Sequence, residues 1–153
     1  MQSNAIRDGT EGDGPACGAI VNRWIDETDW MPRVHTTNSV IDYFTSTVLA
    51  KKRCWVAEQD AALCGFLALD LSDGLVTALY LDGRVRGQGL GMALLNCAKV
   101  ERPAGMGLWT FVANTGARRF YERQGFREVA RTDGDNEEGL PDILFRWAPE
   151  IAK

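Results

Sequence analysis

The sequence has few of the residues that build metal centres, disulfide frameworks or membrane spans. It contains one histidine, His35, and four cysteines with no close pair among them, so neither a zinc knuckle nor a redox pair is predicted. No apolar run is long enough to cross a membrane, and residues 1–14 are too polar and acidic for a signal peptide. We therefore expect a cytoplasmic protein with reduced thiols and no metal.

The composition that is present is typical of one folded domain. The 153 residues are 45% apolar and 25% charged, which suits a domain with a buried core. A formal net charge of −4 disfavours nucleic acid as a partner. Because no repeat or low-complexity segment interrupts the chain, we expect a single domain over residues 1–153.

Charge is distributed unevenly along the second half of the chain. Residues 84–131 contain nine lysines and arginines against three acids, whereas residues 132–153 contain six acids against two cations. One interpretation is a solvated surface without a function. The alternative is an anionic cofactor held by the basic segment and a cationic acceptor attracted by the acidic segment.

The hydrophobic pattern changes along the chain between strand-like and helical spacing. Strands are predicted at residues 4–8, 53–58, 62–71, 75–81, 106–112, 126–132 and 143–147. Helices are predicted at 16–28, from a cap near Asn38 or Ser39, at 89–101 and at 115–124. This β-α-α-β-β-β-α-β-α-β-β order predicts an α/β fold of the α+β type, with a mixed, mostly antiparallel sheet flanked by helices.

The segment Arg84-Val85-Arg86-Gly87-Gln88-Gly89-Leu90-Gly91 leads directly into the helix predicted at 89–101. Its alternate glycines remove side chains from a turn at a helix start, where backbone N–H groups and the helix dipole favour a phosphate. Taken alone, the segment is also compatible with a glycine-rich turn that binds nothing. It lacks the Lys-Ser/Thr of a P-loop and the acidic ribose contact of a dinucleotide-binding turn.

A second motif, Asn114-x-x-Ala117-x-x-x-Tyr121-x-x-x-Gly125-Phe126, follows the next predicted strand. Asn114 suits a helix N-cap, and Gly125 suits the left-handed position just past a helix C-terminus. Helical spacing puts Tyr121 on the face that points toward the sheet. Together with Arg86-x-x-Gly89-x-Gly91, the motif resembles the GNAT superfamily of acetyl-CoA-dependent N-acetyltransferases, over about residues 53–147.

The resemblance implies a single acetyltransferase domain with a site for acetyl-CoA. Backbone groups on the strand before the glycine turn would pair with the pantetheine arm, and the amides of the turn would hold the pyrophosphate. Tyr121 would act as general acid at the thioester sulfur. The residues expected to bind the cofactor are Leu79, Tyr80, Leu81, Arg86, Gly87, Gln88, Gly89, Leu90, Gly91, Met92, Asn114 and Tyr121.

The resemblance does not assign the general base. Several relatives carry a glutamate on the strand before the second motif, but residues 108–112 contain no acid. The open candidates are His35, Asp82, the cluster of Glu137, Glu138 and Asp142, and a water relay. By resemblance, the acceptor lies between residues 30–35 and 136–142. The residues expected to contact it are Trp30, His35, Glu137, Glu138 and Asp142.

These features predict an enzyme that moves an acetyl group from acetyl-CoA to a primary amine of a small molecule or peptide. Transfer would occur by direct attack of the amine in a ternary complex. The alternative is a non-catalytic acyl-CoA-binding regulatory module, which the missing strand glutamate favours and the presence of Tyr121 disfavours. A homodimer is compatible with the family, and neither nucleic acid nor a membrane is expected as a partner.

Overall fold

A computed structural model describes residues 3–149 of the chain, which form one seven-stranded sheet with helices on both faces. The strands are β1 (Asn4–Asp8), β2 (Arg53–Gln59), β3 (Ala62–Asp70), β4 (Leu75–Leu81), β5 (Met106–Phe111), β6 (Arg127–Thr132) and β7 (Asp142–Trp147). The helices are α1 (Gly14–Glu27), α2 (Thr37–Tyr43), α3 (Leu90–Glu101) and α4 (Thr115–Arg123). Short 3₁₀ turns lie at Glu11–Asp13 and Gly83–Val85, and a π-helical segment, Phe44–Leu49, extends α2. The predicted fold class and element order are confirmed.

The starts of the first two helices differ from the prediction. Helix α1 begins at Gly14 rather than at residue 16, because Pro15 occupies its first turn, where a fixed φ and a missing N–H are tolerated. Helix α2 is capped by Thr36, whose hydroxyl accepts a hydrogen bond from the Ser39 amide at 3.1 Å. The cap predicted at Asn38 or Ser39 is therefore wrong by two or three residues.

The buried strand β3 contributes side chains to two hydrophobic cores, one on each face of the sheet. Phe66 and Ala68 point to the face covered by α1 and α2, whereas Leu67 and Leu69 point to the face covered by α3 and α4. All four side chains are fully buried. This period-two alternation fixes the strand's register, because a slip of one residue would exchange the two cores.

The strands β4 and β5 form the only parallel pair in the described sheet, whose order is β1-β2-β3-β4-β5-β7-β6. Their pairing is limited to Leu75 with Gly107 and Val76 with Leu108, and beyond Val76 the strands separate. Within residues 3–149, the later backbone groups of β4 therefore have no ladder partner on the β5 side. The splay leaves an opening in the middle of the sheet.

The cysteines are free thiols, and burial raises the pKa of each of them, Cys17, Cys54, Cys64 and Cys97. No helix within residues 3–149 has the length and apolar character needed to span a membrane. In the same residues, no group of three histidines, cysteines or acids is arranged to hold a metal ion.

Candidate active site

The opening between β4 and β5 is the mouth of a cleft of about 670 Å³, which we call the donor cleft. Of the residues expected to bind the cofactor, Gln88 and Leu90, which were expected to contribute only backbone amides, are not among those that line the cleft. Gln88 accepts a hydrogen bond from the Gln59 side chain at 2.8 Å, and Leu90 is buried in the core. The expected residues that line the cleft are Leu79, Tyr80, Leu81, Arg86, Gly87, Gly89, Gly91, Met92, Asn114 and Tyr121.

The turn before α3 presents a row of backbone amides without partners. Gly87 and Gly89 have φ angles of 79° and 82°, in the left-handed region that favours glycine, and both face open space. Within the described residues, the amides of residues 87–92 donate no hydrogen bond to backbone or side chain. These amides lie at a helix start next to Arg86, an arrangement that generally favours an anion.

Helix α4 is fixed at both ends as the sequence predicts. The Asn114 side-chain oxygen accepts a hydrogen bond from the Ala117 amide at 3.1 Å, and Gly125 adopts a φ of 94°. Between these ends, Tyr121 is 8% exposed and reaches the donor cleft. Burial, and secondarily the neighbouring Tyr80, raises the pKa of Tyr121, so its hydroxyl keeps its proton at neutral pH.

A second cavity of about 500 Å³ lies on the α1–α2 side of β4. We call it the acceptor cavity after the acceptor residues predicted from the sequence. Trp24 and Tyr80 line both the acceptor cavity and the donor cleft, and their ring centroids are 5.5 Å apart. The two spaces are therefore neighbours, with these two residues in common. The remaining residues that line the acceptor cavity are Val21, Ile25, Met31, Pro32, Val34, His35, Ser39, Val40, Tyr43, Phe44, Glu137 and Glu138.

Three of the predicted acceptor residues come together at the acceptor cavity. The His35 Nε2 atom lies 3.0 Å from Glu137 Oε2, and both side chains are more than half exposed. Glu138 is half-buried, and burial raises its pKa. Burial, together with the Glu138 charge, raises the pKa of Tyr80 to about 12. The two loops thus bring carboxylates to one end of a mostly apolar space.

Trp30, also expected at the acceptor, lines neither cavity. Its ring makes edge contacts with Trp24 at 5.8 Å and with Phe111 at 5.7 Å. Since Phe111 is the last residue of β5 and Trp24 packs on β4 through Tyr80, the three rings bridge the splayed strands. Trp30 therefore supports the Trp24 ring, which lines both cavities, without lining either cavity itself.

Asp82 and Asp142, both candidate bases, also lie outside the two cavities. Asp82 forms an ion pair with Arg23 at 3.2 Å. Asp142 accepts hydrogen bonds from the Thr132 hydroxyl and from the Asn136 side chain, the latter at 3.1 Å. These partners give both carboxylates a structural role in holding neighbouring segments.

Several lining residues are absent from the sequence prediction. Trp24, Tyr43, Trp109, Phe120 and Arg123 line one of the cavities, or both in the case of Trp24. Trp24 and Phe120 show the helical spacing of buried faces, but spacing does not distinguish a core contact from a cavity wall. Trp109 has no local signal at all, because its position depends on the splay of two distant strands.

Comparison with known proteins agrees with this geometry. A family model described as an acetyltransferase (GNAT) domain matches residues 50–128. Peptidyl-lysine N-acetyltransferase YjaB of Salmonella typhimurium is 32% identical over 136 residues, which cover 86% of this chain and 88% of that protein. Peptidyl-lysine N-acetyltransferase YiaC of Escherichia coli is 26% identical over 132 residues, or 84% of this chain and 88% of that protein.

Solved structures show the same architecture. The solution structure of apo YjaB from Escherichia coli, 26% identical, has a TM-score of 0.75 and covers 95% of this chain and 97% of its own. The structure of yncA from Salmonella typhimurium with its cofactor acetyl-CoA is 19% identical, has a TM-score of 0.73, and covers 95% and 94%. The family model, the 32% identical relative and the shared fold together establish that this chain belongs to the GNAT family of acetyltransferases.

Proposed function

We propose that this protein transfers the acetyl group of acetyl-CoA to the ε-amine of a lysine residue in a peptide or protein. The observation that carries the proposal is the row of unpartnered amides at residues 87–92, which opens onto the same cleft as Tyr121. Two observations support the acceptor. Similar proteins are named peptidyl-lysine N-acetyltransferases, and the acceptor cavity has carboxylates but no lysine or arginine among the described residues that line it.

The residues of the donor cleft fit the chemistry of acetyl-CoA, which supplies the acetyl thioester when bound. The amides of residues 87–92 and the Arg86 guanidinium offer the donors that a pyrophosphate requires. Unpaired backbone groups at Leu79–Leu81 can hydrogen-bond an amide-bearing arm in the manner of an added strand. Asn114 lines the same cleft, and its helix cap uses only the side-chain oxygen.

Two groups of the chain, the β4 amides and Tyr121, would act on the reacting atoms. An amine that enters through the acceptor cavity would approach the donor cleft beside Trp24 and Tyr80, the two residues that line both spaces. Backbone amides of β4 beyond the splay are available to stabilise negative charge on the carbonyl oxygen. Tyr121 holds the proton that the leaving sulfur needs. No cysteine lines the donor cleft in residues 3–149, which supports direct attack in a ternary complex.

The test is thiol release from acetyl-CoA with a set of acceptors, followed by mass spectrometry of the products. The set contains an N-terminally blocked lysine peptide, the same peptide with arginine in place of lysine, free amino acids, a polyamine and an aminoglycoside. We expect acetylation of the lysine peptide and none of its arginine counterpart. Product on small amines alone would contradict the peptidyl acceptor. Acetyl-CoA binding without transfer would favour the regulatory module, and no binding would overturn the proposal.

A further inference from the structure

The acceptor cavity has an aromatic inner end and a polar mouth. Its inner end is formed by Trp24 and Tyr80, which face the donor cleft, and its mouth by the ion pair of His35 with Glu137. No lysine or arginine lines it among the described residues. Faces of aromatic rings and carboxylates both attract cations, so the space is complementary to a long apolar chain that ends in an ammonium group.

Glu137 and Glu138 line this cavity, and Asp142 lies outside it. Of these three acids, Glu138 is the one with neither an ion pair nor a hydrogen bond from a neutral side chain within residues 3–149. Glu137 is paired with His35 at 3.0 Å, and Asp142 is hydrogen-bonded within its own hairpin. Glu138 is half-buried, acts electrostatically on Tyr80, and has no cationic partner in residues 3–149. Burial and the nearby charges of Glu137 and Asp142 disfavour its ionised form and raise its pKa. A cation placed beside it would relieve that cost.

We propose that Glu138 is the acceptor-binding carboxylate of this enzyme, which receives the acceptor ammonium beside Tyr80 and Trp24 and takes one proton from it. The inference rests on the proposed function, since it names the residue that prepares the amine for that reaction. An ammonium group has no lone pair, so it cannot attack a thioester until one proton has left. Glu138 lines the acceptor cavity together with Tyr80 and Trp24, the two residues that also line the donor cleft.

The protons and electrons of the transfer balance with these groups. Glu138 takes one proton from the ammonium and releases it through the open mouth of the cavity to water. The neutral nitrogen then forms the C–N bond as the C–S bond breaks, and the sulfur leaves with the electron pair of that bond. The nitrogen loses a second proton to water, and the sulfur gains one from Tyr121, which recovers it from solvent. The net products are an amide, a thiol and one proton.

The experiment compares Glu138→Gln with Asp135→Asn, a control that removes a charge from an exposed position in the same loop. We expect Glu138→Gln to lower kcat/KM for a lysine peptide about 100-fold at pH 7, with the KM for acetyl-CoA within twofold of wild type. The loss should shrink toward pH 9, because the fraction of neutral lysine amine, with a pKa of about 10.4, rises with pH. Asp135→Asn should stay within twofold of wild type throughout.

The comparison of variants at each pH removes the contribution of other titratable groups that face Glu138. Those groups are His35 from the loop after α1, Tyr43 from α2, Tyr80 from β4, Glu137 from the same loop and Asp142 from β7. A loss below threefold, or an equal loss at every pH, would overturn the assignment, since a purely structural defect does not follow the protonation of the substrate.

If the wild type transfers no acetyl group, the proposed function fails. A binding measurement still tests the role of Glu138 in that case. Blocked lysine amide is titrated into the protein with coenzyme A present, by calorimetry, with blocked norleucine amide as the uncharged probe. We expect Glu138→Gln to weaken lysine binding about tenfold at pH 7 and to leave norleucine binding unchanged. Equal lysine affinity in wild type and Glu138→Gln would contradict the inference.

Discussion

Tyr121 is almost completely buried, and it also lines the donor cleft. Its ring packs between Phe126 and Phe145 in the core, while its side chain reaches the cleft. Because burial raises the pKa of Tyr121, the hydroxyl is a weaker acid than free tyrosine and keeps its proton through the neutral range. In the proposed reaction the leaving thiolate would also become more basic in this desolvated space, so proton transfer from Tyr121 would be feasible.

We expect Tyr121→Phe to lower kcat by about 10²–10⁴ and to leave the KM for acetyl-CoA nearly unchanged, because only the proton donor is removed. Steady-state kinetics with the lysine peptide would measure this, and thermal unfolding would check that the core is intact. The raised pKa also predicts no loss of wild-type activity from Tyr121 ionisation up to pH 10. A loss of only a few-fold in Tyr121→Phe would mean that the sulfur leaves without this proton.

At the scale of single residues, the sequence predicted the positions whose role is local. Asn114 and Gly125 were assigned correctly because a helix cap depends on a few neighbouring atoms. Trp24 and Trp30 could not be distinguished in this way. Trp24 lines both cavities, whereas Trp30 lines neither and packs against the Trp24 ring. That difference arises from packing between segments far apart in the chain.

Among the elements, α1 and α2 form the wall of the acceptor cavity through two glycine contacts. A Cβ atom at Gly18 would lie 2.8 Å from Ile41 Cα, and one at Gly14 would lie 2.3 Å from Thr45 Cα. The two helices are therefore in backbone contact. Since Tyr43 of α2 lines the acceptor cavity, the distance between the helices sets its width.

We expect Gly18→Ala to push α2 outward and to lower the free energy of unfolding by about 1–3 kcal/mol. The widened cavity should raise the KM for the acceptor while the KM for acetyl-CoA stays constant. Denaturant titration and kinetics on both substrates would measure these effects. Gly12→Ala is the control, because its Cβ would approach only the Thr10 hydroxyl, at 3.8 Å. Equal stability of the two variants would contradict the close helix contact.

The turn before α3 depends on backbone conformation rather than on space. Gly89 has a φ of 82° with no atom near a Cβ position, so Gly89→Ala adds strain of about 1–2 kcal/mol without a clash. We expect the KM for acetyl-CoA to rise about tenfold as the amides lose their alignment. Gly139→Ala adds comparable strain at a φ of 69° in the acceptor loop and should leave that KM unchanged. Similar KM values for the two variants would argue against a phosphate cradle at Gly89.

The order of the elements followed from the sequence because each has its own periodicity and stop signals. Pro15 is a signal for a helix start that the prediction did not use. The predicted helix therefore begins at residue 16, two residues after the observed start of α1 at Gly14. The splay of β4 from β5 has no such local signal. It results from pairing that ends after Val76 and Leu108, residues separated by the whole of α3. The donor cleft could therefore be inferred only from the family resemblance.

At the scale of the whole molecule, the charges of different carboxyl groups affect the stability of the fold in opposite directions. Hydrogen bonds from Arg7 hold the pKa of Asp13 below its usual value, and those from Arg131 do the same for Glu128. Such carboxyls stabilise the fold above their unfolded pKa of about 4, and this contribution is lost as the pH falls through their folded pKa. The pKa of Glu138 is shifted in the opposite direction, so its charge has the opposite effect on stability.

Because burial raises the pKa of Glu138, the folded state binds its proton more tightly than the unfolded state does. Its ionised carboxylate therefore destabilises the fold at neutral pH, and the penalty disappears below the unfolded pKa of about 4.3. We expect Glu138→Gln to raise Tm by about 2 °C at pH 7 and by nothing near pH 3.5, as measured by calorimetric scans. The same variant should have the lower kcat/KM for a lysine peptide, since a charge that is kept although it lowers stability is typical of a functional site. A lower Tm at pH 7 would assign Glu138 a structural role instead.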